Sequence, residues 1–423
     1  MAGPIPTGLL PDTASISADG RLWIGGCDLV DLAGEYGTPL FVYDEAHLRA
    51  RCREAVAAFG DGVAYASKAF LCGAMARLAH EEGMHLDVAT GGELFVARRA
   101  GVPADRLVMH GNNKSGAELA MALDEGVGRI VVDSFDELDR LDAIATATGS
   151  RPRVLLRITP GVEAHTHEFI ATGQDDSKFG FTVSSGLATA AVERAVASDS
   201  VELVGLHAHI GSQVFEVEAF ARAIEVLADF AAPFGLAELS VGGGLGVPYV
   251  EGESAPSITE WASGIRAVCE AAGVTASVSA EPGRAIVAAA AITLYTVGTI
   301  KDLPGIRTYV AVDGGMSDNP RPVLYGSGYE TFLPRATAAE RSRPVRVVGK
   351  HCESGDLLVR EGWVPDDLVV DDVLATPVTG AYGHAMGSNY NHVLRPAVVF
   401  VANGDARMVV RRETFEDLAR REV

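Results

Sequence analysis

Between about residue 63 and residue 285 the chain alternates short β-rich runs with alanine- and leucine-rich stretches of helical composition. The runs are VAYASK from Val63, HLDVAT from His85, LVMHG from Leu107, IVVDS from Ile130, VLLRITP from Val154, LVGLHAHIG from Leu203, LSVGGGLG from Leu239 and SVSAEPGR from Ser277. The first four recur about every 22 residues, room for one strand, one helix and two short loops. Eight consecutive strand–helix units predict a (β/α)8 barrel rather than an open doubly wound sheet. The polar or glycine residues that close most runs lie where a barrel's catalytic loops emerge. After about residue 290 the pattern changes to β-rich segments separated by turns: YVAVDGG, VRVVGKHCESGD, LLVREGW, DVLATPVTGAY and RPAVVFVANG. These predict a second, all-β domain. RLWIGG and PLFVYDE near the start also read as strands and are expected to join it. The expected division is a barrel at 44–289 inserted between 1–43 and 290–423.

A length of 423 residues supports two domains, and 48% apolar against 22% charged residues excludes a largely disordered chain. The net charge of −21 argues against nucleic acid or an anionic membrane as partner and leaves a small molecule as the expected one. The longest uncharged apolar run, Ala285 to Val297, is shorter than the roughly 20 residues of a membrane-spanning helix. MAGPIPTGLLPDTAS has no basic region followed by an apolar core, so a cytoplasmic protein is expected. The five cysteines (Cys27, Cys52, Cys72, Cys269 and Cys352) are odd in number and irregularly spaced. This suits reduced thiols and fits neither a disulfide framework nor a zinc site.

Several run ends carry residues with chemical potential. Lys68, in YASKAF, reads as a lysine at a buried strand end, where a desolvated amine readily forms a Schiff base; taken alone such a lysine more often snorkels to solvent. The glycines of VGGGLG permit close backbone approach to a phosphate, although the Walker lysine and Ser/Thr are missing and a bare turn is the alternative. His209, beside Gly211 and Ser212, could stack on a planar ring while the serine bonds a phosphate. His207 shares its face, but no third ligand stands at a recognisable spacing, so no metal is expected and a satisfied core histidine is the other reading of His207. Glu281-Pro282-Gly283-Arg284 offers a carboxylate for a pyridine nitrogen and a fixed positive charge, or else a salt-bridged turn. Cys352, flanked by Glu353 and Asp356, could donate a proton as a thiol held protonated by its acidic neighbours.

Taken together, YASKAF, HIGSQ, VGGGLG, AEPGR, DGGMSDNPR, CESGD and GAYGHAMGSNYN, with TPGVEAHTHEFIATGQDDSKFGF from Thr159, resemble the fold-type III pyridoxal-phosphate decarboxylases from about Pro39 to the C-terminus. The resemblance implies pyridoxal 5'-phosphate as cofactor and, within the family, decarboxylation of meso-2,6-diaminopimelate to L-lysine and carbon dioxide. It implies Lys68 as the Schiff-base lysine, His209 as the ring-stacking histidine and Glu281 as the partner of the pyridine nitrogen. Ser212, Gly244, Gly283 and Arg284 are implied for the phosphate. Arg284, Arg321, Tyr325 and Glu353 are implied for substrate, and Tyr382 for cofactor and substrate together. Cys352 is implied as the proton donor, reaching the site from the neighbouring subunit of a homodimer. Gly383, His384 and Gly387 depart from the family's pattern, which puts the fine fit of the substrate in question. A sister activity on ornithine, arginine or a carrier-bound amino acid is the alternative. Arg321 speaks against it, since a diamine-producing enzyme has no distal carboxylate to bind. Alanine racemase-like enzymes share the barrel but carry arginine where Glu281 stands.

Overall fold

The β-rich runs of the first half form parallel strands at Ala64–Ala66, His85–Val88, Leu107–Met109, Arg129–Val132, Arg153–Thr159, Glu202–His207, Glu238–Ser240 and Ser277–Ser279, each paired with the next. The first strand meets the residues just after the last: Ala64 N–H donates to Ala280 C=O at 3.0 Å and Ala66 N–H to Pro282 C=O at 3.3 Å. The sheet therefore curls into the nearly closed barrel that eight strand–helix units predict. A two-residue strand, Phe181–Thr182, pairs with Arg153–Thr159 outside this path. Val108, Val131, Leu155 and Val204, from four successive strands, pack as one apolar cluster. Helices of the barrel begin on good caps; Ser115 and Ser257 each close a capping box, with Glu118 and Glu260.

The computed structural model describes residues 4–162, 173–215 and 217–423, so the central part of TPGVEAHTHEFIATGQDDSKFGF, residues 163–172, lies outside the described residues. The chain divides into two units: a barrel unit of Arg51–Gly246 and Ala255–Ala285, and a sheet-rich unit of Met1–Ala50, Val247–Ser254 and Ile286–Val423. In the latter the strands run in the order Leu357–Val364, Arg343–Val348, Arg307–Val312, Ala291–Leu303, Leu40–Asp44, Ala397–Ala402, Asp405–Val410. Val373–Pro377 also pairs with Ala291–Leu303. PLFVYDE thus supplies a central strand, antiparallel to Ala291–Leu303 and parallel to Ala397–Ala402, and every residue of Leu40–Asp44 is buried. Leu22, Ile24, Leu29, Leu40, Val42, Ile292, Leu294, Phe332 and Val399 share one core cluster. The helix Leu29–Tyr36 starts on Asp28, whose carboxylate accepts from Val30 and Asp31 N–H. The unit is mostly sheet.

Within this unit the turn DGGMSDNPR is stitched by Asp318, whose Oδ1 accepts from Gly315 N–H at 2.6 Å while its side chain is buried. Burial pushes this carboxyl up to about 7 from the usual 3.8. The sign follows directly. Between the two values the unfolded chain has released the proton and the folded chain retains it, so this group's stabilising contribution is full below 3.8 and lost as pH rises through about 7. Asp318→Asn keeps the oxygen that accepts from Gly315 and removes the ionisation. The melting temperature of the variant relative to wild type should therefore climb with pH across that window, measured by thermal denaturation in matched buffers. A difference that is the same at every pH would contradict this account of Asp318.

Candidate functional site

Lys68 does not lie in the strand. The strand stops at Ala66, and Lys68 sits on the 3-10 turn Ser67–Ala69, exposed, between a buried Ser67 and a buried Ala69. The expectation of a desolvated strand lysine is corrected. A tight turn directs its flanking residues inward and its middle one outward, so the amine stays accessible at the strand-end face of the barrel.

Glu281 is the anchor of the buried chemistry in the barrel unit. Its Oε2 lies 3.0 Å from His207 Nε2, and Ser240 Oγ donates to its Oε1 at 2.6 Å. His110 Nε2 stands 3.7 Å from the same Oε1 and 3.4 Å from Asp87 Oδ1. Burial alone would raise the Glu281 carboxyl, but the neighbouring histidines and the Ser240 hydroxyl hold it well below the usual carboxylate range. Burial lowers His207. For His110 burial works the same way, yet the charges of Glu281 and Asp87 outweigh it and raise the imidazole. Asp87 is pushed up to about 6 by burial and by Glu281. The arrangement leaves Glu281 charged, with Ser240 and His207 donating to its two oxygens and His110 beside it.

His110 closes LVMHG and was not singled out from the sequence. Its only signal there was its place at a strand end. It is also the third group that spacing did not reveal: His110, His207 and Glu281 offer ligand atoms within 4.8 Å of one another. Both Glu281 oxygens are already engaged, which makes the set a clamp on a carboxylate.

The loops after the sixth, seventh and eighth strands are tied to one another. Gly243 N–H donates to His209 Nδ1 at 3.2 Å, which leaves the neutral ring's proton on Nε2. Burial, with Lys68 and Arg157 adding positive charge, holds His209 well below the ordinary histidine value, so it is neutral. Glu281 N–H donates to Gly242 C=O at 2.8 Å, and Arg284 Nη2 donates to Ser212 Oγ at 2.8 Å. Gly244 has φ +114°, and a Cβ there would stand 2.3 Å from Gly211 C=O; at Gly243 it would stand 2.2 Å from Glu281 C=O. A Cβ at Gly283 would fall 2.9 Å from Ala66. These glycines are required for the loops to pack backbone against backbone, with Ser212 and Arg284 at their rim. The donor set suits pyridoxal phosphate: a charged carboxylate for a ring nitrogen, a neutral imidazole for its face, an accessible amine for its aldehyde, and a serine, an arginine and close-packed glycine loops for its phosphate.

The remaining candidates belong to the sheet-rich unit. Arg321 opens the short helix Arg321–Tyr325 and is buried. Its guanidinium carbon lies 3.9 Å from the centre of the Tyr249 ring, and its Nη1 donates to Tyr329 Oη at 2.5 Å. Among the described residues its buried Nε has no hydrogen-bond partner. Tyr249 and Tyr329 were invisible to motif reading, because each sits in an unremarkable loop. Tyr325 and Tyr382 are half-buried, and Tyr382 has φ +59°, a left-handed backbone that a bulky residue adopts only when its surroundings enforce it. Cys352 and Glu353 are exposed. Of the three departures, Gly383 has a structural reason: a Cβ there would lie 3.0 Å from Thr379 C=O and 3.2 Å from the Phe41 ring. His384 meets that same ring edge-on at 5.7 Å.

Residues 45–288 match the family model described as pyridoxal-dependent decarboxylase, pyridoxal binding domain. The diaminopimelate decarboxylase of Mycobacterium tuberculosis is 51% identical over 425 residues, covering 96% of this chain and 95% of that protein. That of Bacillus subtilis is 46% identical, covering 97% of each. Among solved structures, diaminopimelate decarboxylase from M. jannaschii in co-complex with L-lysine superposes with a TM-score of 0.91 at 32% identity, over 97% of this chain and 98% of that one.

Proposed function

The chain belongs to the diaminopimelate decarboxylases, within the pyridoxal-dependent decarboxylase family, and from that premise we propose that it converts meso-2,6-diaminopimelate to L-lysine and carbon dioxide. The observation that carries this reading is the charged, doubly hydrogen-bonded Glu281 in one unit with Lys68, His209, Ser212 and Arg284. When bound, pyridoxal phosphate supplies an electron sink for the pair left behind as carbon dioxide departs. Lys68 would hold the cofactor through its amine. Glu281 keeps a proton on the ring nitrogen, because its own charge is maintained by Ser240 and His207. His209, neutral and oriented by Gly243, packs against the ring. Ser212, Gly244, Gly283 and Arg284 take the phosphate, and Tyr382 touches cofactor and substrate.

Arg321 binds the carboxylate that is retained, through the edge that Tyr329 leaves open, and Arg284, Tyr325 and Glu353 complete substrate recognition. Cys352 Sγ gives its proton to the carbon that lost the carboxylate, and the thiolate recovers a proton from water. In this reading Cys352 serves the site of the neighbouring subunit in a homodimer. Its exposure in the single chain supports that role. Cysteines that are odd in number and irregularly spaced support a reducing cytoplasmic compartment.

The test is carbon dioxide release from meso-diaminopimelate, ornithine, arginine and lysine. Release should be confined to meso-diaminopimelate. Removing one charge-assisted pair costs on the order of 1.5–3 kcal/mol, so Arg321→Ala should lower kcat/KM for this substrate by about one to two decades. Turnover of ornithine or arginine by wild type, or an Arg321→Ala enzyme as active as wild type, would overturn the substrate assignment.

A further inference from the structure

Three loops of the sheet-rich unit meet at a buried imidazole that the mechanism leaves unused. His351, 7% exposed, places Nε2 at 2.8 Å from Ser317 Oγ and Nδ1 at 3.2 Å from Asn391 Oδ1. The same Asn391 oxygen accepts the backbone N–H of Cys352 at 3.2 Å. A backbone N–H can only donate, so the carboxamide must turn its oxygen toward this pair. His351 then carries its proton on Nδ1 and accepts from the Ser317 hydroxyl. Asp356 ties the other side, accepting from Met316 N–H at 2.6 Å and His351 N–H at 2.9 Å. Ser388 N–H donates to Ser317 C=O at 2.8 Å. Asn391 stands at φ +53°, a left-handed conformation that asparagine tolerates and that aims its side chain back at the CESGD loop.

We propose that Asn391 is a positioning residue for the Cys352 thiol, its single carboxamide oxygen holding Cys352 and His351 to the GSNYN loop. The inference rests on the reading of Cys352 as proton donor. The reason is geometric. Cys352 is exposed, and the Asn391 oxygen and the Asp356 carboxylate fix the backbone on which its sulfur turns. A displacement of about 1 Å at a reacting group can cost about a hundredfold in rate.

Asn391→Ala in the holoenzyme should lower kcat by about tenfold to a hundredfold while KM and the cofactor's absorbance stay near wild type. Asn391→Asp, which keeps an oxygen acceptor and tolerates the same backbone, should recover most of the lost kcat. Mixed dimers isolated through two affinity tags then separate the inference from the reading beneath it. Lys68→Ala paired with Cys352→Ala should regain about half the wild-type activity, since one of two sites is intact. Lys68→Ala paired with Asn391→Ala should do the same. Cys352→Ala paired with Asn391→Ala should reach only about half the activity of Asn391→Ala itself. Failure of the first pairing alone would refute the shared site. Success of the first with failure of the second would assign Asn391 to the subunit of Lys68 and overturn the inference. A kcat for Asn391→Ala within about twofold of wild type would overturn it whatever the dimers do.

Discussion

Lys68→Ala is expected to abolish both turnover and covalent retention of pyridoxal phosphate. Lys68 is the exposed amine on the turn that follows the first barrel strand, in the unit that also holds Glu281, His209, Ser212 and Arg284. Lys114, also in this unit, cannot replace it, because it is buried and bound to Glu137 and to the carbonyls of Gly111 and Val131. Loss of a nucleophile that acts as a unit with its partners removes nearly the whole rate enhancement rather than a fraction, of order 10⁴ or more. Borohydride reduction of wild type followed by peptide mapping should label Lys68, and the alanine variant should release its cofactor on dialysis. A label on any other lysine, or a variant that keeps its cofactor through denaturation, would sink the assignment.

The largest expected effect on stability comes from Glu137→Ala. Lys114 Nζ and Glu137 Oε1 stand 2.8 Å apart with side chains 0% and 1% exposed, and Glu137 Oε2 accepts from Asp133 N–H at 3.1 Å. Asp133 in turn accepts from Gly180 N–H at 2.7 Å, so the pair is part of a buried polar chain across three strand ends. Removing one member of a buried ion pair leaves the other charged and desolvated, at a cost of about 3–5 kcal/mol. Urea denaturation should show that loss. Lys114→Met combined with Glu137→Leu should recover most of it, because the uncompensated charge is gone. A single variant within about 1 kcal/mol of wild type would mean that water or another group reaches Lys114.

How far these features were legible depends on the range over which they are encoded. The eight strand runs appeared where the sequence placed them, because strand composition and capping serines act over a few residues. The motif loops HIGSQ, VGGGLG and EPGR were legible for the same reason: a glycine needed for backbone contact, or a serine beside it, is a local demand. Lys68 was read one step wrongly, since a three-residue strand followed by a 3-10 turn looks in sequence like one longer strand. His110, Tyr249, Tyr329 and Asn391 went unread, although each touches a residue that was read.

The sequence by itself therefore determined the alternation that makes a barrel, the β-rich remainder built from both chain ends, and the chemical types of the residues at the strand ends. Only the tertiary structure decided their electrical state and aim. Glu281 is charged because Ser240 and His207, from two other strands, donate to its oxygens. Arg321 is oriented because the Tyr249 ring lies against its face and Tyr329 accepts from its Nη1. Cys352 is held because Asn391, on another loop, accepts from its backbone. Local propensity acts within a few residues of the chain, whereas the field and hydrogen bonds at a buried atom come from whatever folding brings within a few ångströms, and that distance has no counterpart along the sequence.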